Sequence, residues 1–97
     1  MWYILDDNNI PIASTATDFI IWEEKFPEKR IVKQDIIEDI CISTVFLGLN
    51  HSYNTPLWWE TMIFGGENDM YQERYSTYEK AFAGHEIALN LVKKQVV

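Results

Sequence analysis

At 97 residues the chain is sized for one domain, 1–97, and a 47% share of hydrophobic residues is enough to build a core. Fifteen acidic against eight basic residues give a net charge of −7. The Lys and Arg residues are also scattered, which excludes a protein that tracks a phosphate backbone, so no polymeric nucleic acid is expected as a partner.

No apolar run approaches the ~20 residues that span a bilayer, and no basic start leads into an apolar stretch. A soluble, non-exported protein with no membrane partner is expected. The lone Cys41 has no internal partner for a disulfide, which fits a reducing cytoplasm and a buried thiol. Four Trp, five Tyr and five Phe are more rings than a minimal core needs, since each can bury ~150–250 Å². The surplus would serve a self-association surface, a ligand pocket, or a ring-rich core with a few rings left outside.

In chain order, the apolar residues Trp2, Tyr3, Ile4 and Leu5 predict a strand, and Asp6, Asp7, Asn8 and Asn9 a tight turn. Ile10, Pro11 and Ile12 return as an edge segment, because Pro cannot donate to a ladder. Thr17 or Asp18 is the expected cap of a short helix. Its Phe19, Trp22, Glu23 and Phe26 share one stripe, Ile20 and Ile21 widen it, and Pro27 ends it. Residues 30–36 predict a strand, Glu38 and Asp39 a turn, and 40–49 the strongest strand, with Ile42, Thr44 and Phe46 alternating against Ser43, Val45 and Leu47.

A polar loop over 50–56 carries His51 and Tyr53. The next strand, 57–64, puts Trp58, Glu60, Met62 and Phe64 on one face and Trp59, Thr61 and Ile63 on the other. Gly65 and Gly66 stop it, and 72–75 form a short last strand. Ser76 and Glu79 have the spacing of a capping box that opens the final helix. Tyr78, Ala81, Phe82, His85, Leu89 and Val92 form its apolar stripe, with Ala88 beside it and Ile87 and Leu91 flanking. The expected fold class is α+β: an antiparallel four- to five-stranded sheet with two helices on one face.

No phosphate loop, dinucleotide fingerprint, nucleophile elbow or zinc-protease motif is present. Two histidines and one cysteine do not make a structural zinc site, so neither metal nor cofactor is expected. Paired carboxylates at Glu23–Glu24 and Glu38–Asp39 read as solvated charge. Glu60 stands inside the apolar run W-W-E-T-M-I-F and needs a partner. Arg74 on the following strand is the expected one, either as a cross-strand pair or lining a polar pocket. His85 faces the sheet, either as a core histidine bonded to Ser43 or Thr44 or as a pocket donor. Gly84 beside it costs the helix ~1 kcal/mol against Ala, which a close backbone approach would offset.

Four segments together resemble a widespread family of short tailed-bacteriophage accessory proteins: S-T-V-F-L-G-L-N-H at 43–51, W-E-T-M-I-F-G-G at 59–66, R-Y-S-T at 74–77 and A-G-H at 83–85. The resemblance covers the C-terminal half; the N-terminal strand and Trp-bearing helix fit in pattern only. It implies an immune-evasion protein in the cytoplasm of a bacterial host, of the anti-CBASS sponge type. Such proteins sequester a cyclic dinucleotide such as cyclic GMP–AMP without cleaving it, as homo-oligomers (dimer or tetramer) with pockets between subunits.

On that reading Trp58, Tyr53 or Tyr75 stack on bases, Arg74 takes phosphate, Glu60 accepts from a base edge, and Ser43, Thr44, Thr61 and His85 supply neutral donors. The alternative is an accessory protein that blocks a host enzyme by direct contact through an aromatic patch and its acidic surface. A small hydrolase using His51 or His85 with Glu60 has no visible nucleophile to work with. The chain reads as a binding protein and not as an enzyme.

Overall fold

The computed structural model describes residues 1–50 and 54–96; the loop residues His51 and Tyr53 therefore lie outside the described residues. Among the described residues the elements run β1 (Trp2–Leu5), β2 (Pro11–Ser14), α1 (Ala16–Lys25), a 3-10 turn (Pro27–Arg30), β3 (Ile31–Ile37), β4 (Ile40–Phe46), β5 (Trp59–Phe64), β6 (Gln72–Tyr75) and α2 (Tyr78–Gln95). The fold is α+β, as the periodicities require. β3, β4, β5 and β6 form a four-stranded antiparallel meander in that order. The first two strands do not join it as a fifth member; they pair only with each other. Their link to the larger sheet is a bridge from Trp2 to Leu49 and a bond from the Tyr3 amide to the Gly48 carbonyl, 2.8 Å long.

The alternation in β4 and β5 assigns the two faces of the sheet. Ile42, Thr44 and Phe46, with Trp59, Thr61 and Ile63, turn to α2 and are almost fully buried. α2 crosses all four strands of this sheet, presenting Ala81, Gly84, His85, Ala88, Leu89 and Val92. One core cluster joins Ile40, Ile42 and Ile63 to Ala88, Leu89 and Val92. The other gathers the rings. Phe46 contacts Trp22 and Trp59, and Trp59 contacts Tyr78, with centroids 5.6–6.3 Å apart. Trp22 is how α1 reaches the same side of the sheet.

Where the chain departs from the local pattern, the reason is a neighbouring constraint. The α1 cap is Thr15, whose hydroxyl accepts from the Asp18 amide at 3.0 Å, not Thr17 or Asp18. Substituting Thr15 by Ala should lower stability by ~1 kcal/mol and the melting temperature by ~4–8 °C, read by thermal unfolding. Ile20 and Ile21 do not join the buried stripe of α1; they are 54% and 56% exposed, because that short helix has only the hairpin and the sheet end to pack on. At the start of α2 the cap is Thr77, accepting from the Lys80 amide at 3.1 Å, one residue beyond the Ser76–Glu79 box. The Tyr75 carbonyl is already held by the Trp58 amide at 3.1 Å, so the strand end sets where the helix can begin. Phe82, placed on the buried stripe by spacing, lies at its rim, 45% exposed.

The expected surface surplus of rings goes mostly into the core. Trp22, Trp59, Phe19 and Phe46 are buried, and Trp2, Tyr3, Phe26, Trp58 and Tyr78 pack partly buried against them. Phe64 and Phe82 are the exposed rings among the described residues; the rest of the exposed large apolar side chains are aliphatic, led by Met1, Ile36 and Met70.

Candidate functional site

Apart from Trp58 and Tyr53, the predicted site residues fall on two opposite sides of the sheet. On the α2 side, a chain of hydrogen bonds crosses the core. The Tyr75 hydroxyl donates to Thr61 Oγ1 at 3.1 Å. Thr61 and Thr44 share a hydroxyl contact of 2.5 Å, and Thr44 Oγ1 meets His85 Nδ1 at 2.7 Å. His85 Nε2 reaches Asp35 Oδ2 at 2.7 Å.

One assignment of hydrogens satisfies every link. The Asp35 carboxylate accepts, so Nε2 carries the hydrogen and Nδ1 accepts from Thr44. Thr44 then accepts from Thr61, and Thr61 from Tyr75. Each hydroxyl donates once. Burial pushes the Tyr75 phenol up from its ordinary pKa, with the Thr61 bond acting against that shift.

A hydroxyl on an imidazole backed by a carboxylate is the order of groups in a hydrolytic triad. Access decides against that use here, because Thr44, Thr61 and His85 are all 0% exposed. No substrate carbonyl can reach the Thr44 hydroxyl without lifting α2 from the sheet. The network's evident work is mechanical: it satisfies the buried polar groups and fixes the helix on the strands. Gly84 permits the close contact. A Cβ there would stand 2.2 Å from three atoms of the Tyr75 side chain, which gives this glycine its reason in a helix interior.

The opposite face of the sheet is covered by neither helix. Reading across the strands, its rows are Ile36, Cys41 and Phe64; then Gln34, Ser43, Met62 and Gln72; then Val45, Glu60 and Arg74. The cross-strand pair of Glu60 and Arg74 is present. Arg74 Nε donates to Glu60 Oε2 at 2.9 Å, and Gln72 Nε2 donates to the same oxygen at 2.5 Å. Gln34 Nε2 donates to Ser43 Oγ at 3.1 Å, so Ser43 is not a partner of His85 but lies on the far side of the sheet. Arg74 keeps 33% of its side chain exposed, and its two Nη nitrogens make no hydrogen bond among the described residues. Cys41 is half-buried on this face, not enclosed in the core.

The sheet itself thus separates Arg74, Glu60 and Ser43 from Thr44, Thr61, Tyr75 and His85, and one ligand cannot touch both sets on a single chain. Trp58 belongs to neither set. It precedes β5 and packs against Tyr3 and Trp59, at centroid distances of 5.3 and 6.4 Å. Tyr53 lies outside the described residues.

Asp35 is the residue that sequence reasoning missed. Its signal was parity. Two places before Ile37 in a strand that turns back at Glu38 and Asp39, it must share a face with Ile42, its partner in β4. Lys33 on the same face bonds Glu86 of α2 and approaches Asp35 at 3.9 Å. The bond to Glu86 raises the Lys33 pKa and lowers that of Glu86.

Among the described residues there is no cluster of side chains suited to a metal ion, and no helix long and apolar enough to cross a membrane. No protein-family model, curated protein or solved structure matches the chain.

Proposed function

We propose that this chain is a phage accessory protein that binds and sequesters a cyclic dinucleotide, without cleaving it, on the open face of its four-stranded sheet. The observation that carries the reading is the state of Arg74. Glu60 holds its Nε and so fixes the plane of the guanidinium, while the outer edge stays available for a bidentate contact with a phosphate. Around it lie the groups a base edge requires: the carboxylate of Glu60 and the amides of Gln34 and Gln72, with the flat apolar surface of Val45 and Met62 between them. In the only hydroxyl–imidazole–carboxylate set among the described residues, the hydroxyl and the imidazole are fully buried, which favours holding a ligand over cutting it. The resemblance of the four segments supplies the ligand class.

The net charge of −7 makes a single arginine decisive, because the anion must be drawn in by local donors against the field of the whole molecule. Arg74→Ala should weaken nucleotide binding by about 10- to 100-fold, the range for a lost charge-assisted bond. The fold should persist, since the side chain is one-third exposed. The test is a melting-temperature screen with cyclic GMP–AMP and related cyclic nucleotides, followed by denaturation and assay of what is released. Stabilisation with intact nucleotide recovered is the expected result. No shift with any member, or an equal shift in the Arg74→Ala variant, would overturn the reading.

A second reading has its own observation. Ile36 and Phe64 flank Cys41 on the same face and are 73% and 46% exposed, an apolar row suited to a protein partner such as a host enzyme. An absence of any nucleotide effect, together with host-protein capture that is lost on Phe64→Ser, favours this alternative.

A further inference from the structure

We propose that two copies of this chain pair edge to edge through β3, antiparallel about a two-fold axis at Gln34, so that their sheets become one. The inference goes beyond the ligand and does not depend on it.

β3 is an end strand of the four-stranded sheet, and β4 is its only strand partner among the described residues. One side of its backbone is therefore an unpaired row of donors and acceptors, the surface on which another strand adds most readily. At seven residues it is the equal of β4, its paired neighbour. Yet it carries exposed apolar side chains, Ile31 at 44% and Ile36 at 73%.

The order of side chains says what fits there. The strand reads Ile31, Val32, Lys33, Gln34, Asp35, Ile36, Ile37, which is chemically self-complementary about its middle. Laid antiparallel on itself with Gln34 facing Gln34, it sets Lys33 against Asp35 of the second copy and Asp35 against Lys33. Each of these pairs joins opposite charges or two amides, combinations that stabilise neighbouring strands; the register break between Ile31 and Lys33 takes Ile31 and Val32 out of this alternation.

The nearest alternatives fail on charge. A strand paired with its own copy must be centred on a residue, because two backbones that bond must offer their groups at the same positions. Centring on Lys33 stacks two ammonium groups on the axis, and centring on Asp35 stacks two carboxylates. The register break in β3 lies between Ile31 and Lys33, so the stretch from Lys33 onward pairs regularly with β4. The three pairs around the axis all fall within that regular part.

The neighbours of the charged pair leave room for it. Lys33 and Asp35 keep 34% and 32% of their side chains exposed. Asp35 Oδ2 accepts from His85 Nε2, and its Oδ1 makes no hydrogen bond among the described residues. Phe82, the ring left at the rim of α2, stands beside Lys33, whose Nζ is 5.7 Å from its centroid. Both copies keep α2 on the same side of the joined sheet, so the exposed Phe82 comes to face the second copy.

The test uses the axis itself. Gln34→Lys and Gln34→Glu each place like charges on the two-fold axis, at an exposed edge position where charge is tolerated in a monomer. Light scattering coupled to gel filtration should give the dimer mass for the natural chain at submillimolar concentration. Each variant alone should dissociate at least tenfold more readily while unfolding cooperatively. An equimolar mixture of the two should recover the dimer, since Lys now faces Glu. A natural chain that stays monomeric would overturn the proposal. So would a dimer indifferent to both Gln34 variants, or one dissolved instead by Ile87→Lys on the outer face of α2.

Discussion

His85→Ala should destabilise the protein by about 3–4 kcal/mol. The ring is fully buried, so its loss opens a cavity between α2 and the sheet. It also leaves the Thr44 hydroxyl without its acceptor and Asp35 without its donor. In a domain of this size that corresponds to a fall of about 15–25 °C in melting temperature. Urea unfolding read by tryptophan fluorescence would measure it directly.

Asp35→Asn separates charge from hydrogen bonding at the same place. The amide oxygen can still accept from Nε2, so the expected cost is nearer ~1 kcal/mol. A His85→Ala variant as stable as the natural chain would mean that the network does not hold the helix.

The second large effect is counterintuitive on propensity alone. Alanine favours a helix interior over glycine by ~1 kcal/mol, yet Gly84→Ala should lower stability by a net ~2 kcal/mol. The added methyl lands 2.2 Å from the Tyr75 ring. That ring cannot simply swing away, because it is 9% exposed and its hydroxyl is tied to Thr61. A double-mutant cycle with Tyr75→Ala isolates the contact. With the ring gone, Gly84→Ala should become neutral or stabilising, reversing the sign it has in the natural background. A substitution that destabilises equally in both backgrounds would locate its effect elsewhere.

These two residues also show how far local reading carries. That His85 faces the sheet follows from the 3.6-residue period of α2, and Thr44 as a candidate partner follows from the two-residue period of β4. The Glu60–Arg74 pair was legible for a similar reason. A carboxylate inside an apolar strand requires a counter-charge, and adjacent antiparallel strands offer one directly opposite. What the spacing could not carry is the Asp35–His85 bond, which spans fifty positions and depends on the angle at which α2 crosses the strands.

The ring surplus taught the opposite lesson. Counting Trp, Tyr and Phe measures how much flat surface exists, not where it goes. The hairpin of β1 and β2 swings Trp2 and Tyr3 onto the sheet end, where Phe19 and Trp58 await them. The strand begins at Trp59, two residues after the start expected at Leu57, and Trp58 just before it meets the Tyr3 ring.

The amino-acid order by itself determined the class of fold, the division of β4 and β5 into a buried and an open face, and the helix stripe that seals the first. These are consequences of backbone periodicity, written within a few residues of each position. Only the tertiary structure decided which polar groups would share a face. It closed Thr44, Thr61, Tyr75 and His85 beneath α2 and set Ser43, Glu60 and Arg74 on the other face, where Ser43 and Glu60 are nonetheless buried. The sheet has two sides, and the side α2 covers is settled by the fit of distant surfaces, which no short stretch of chain contains.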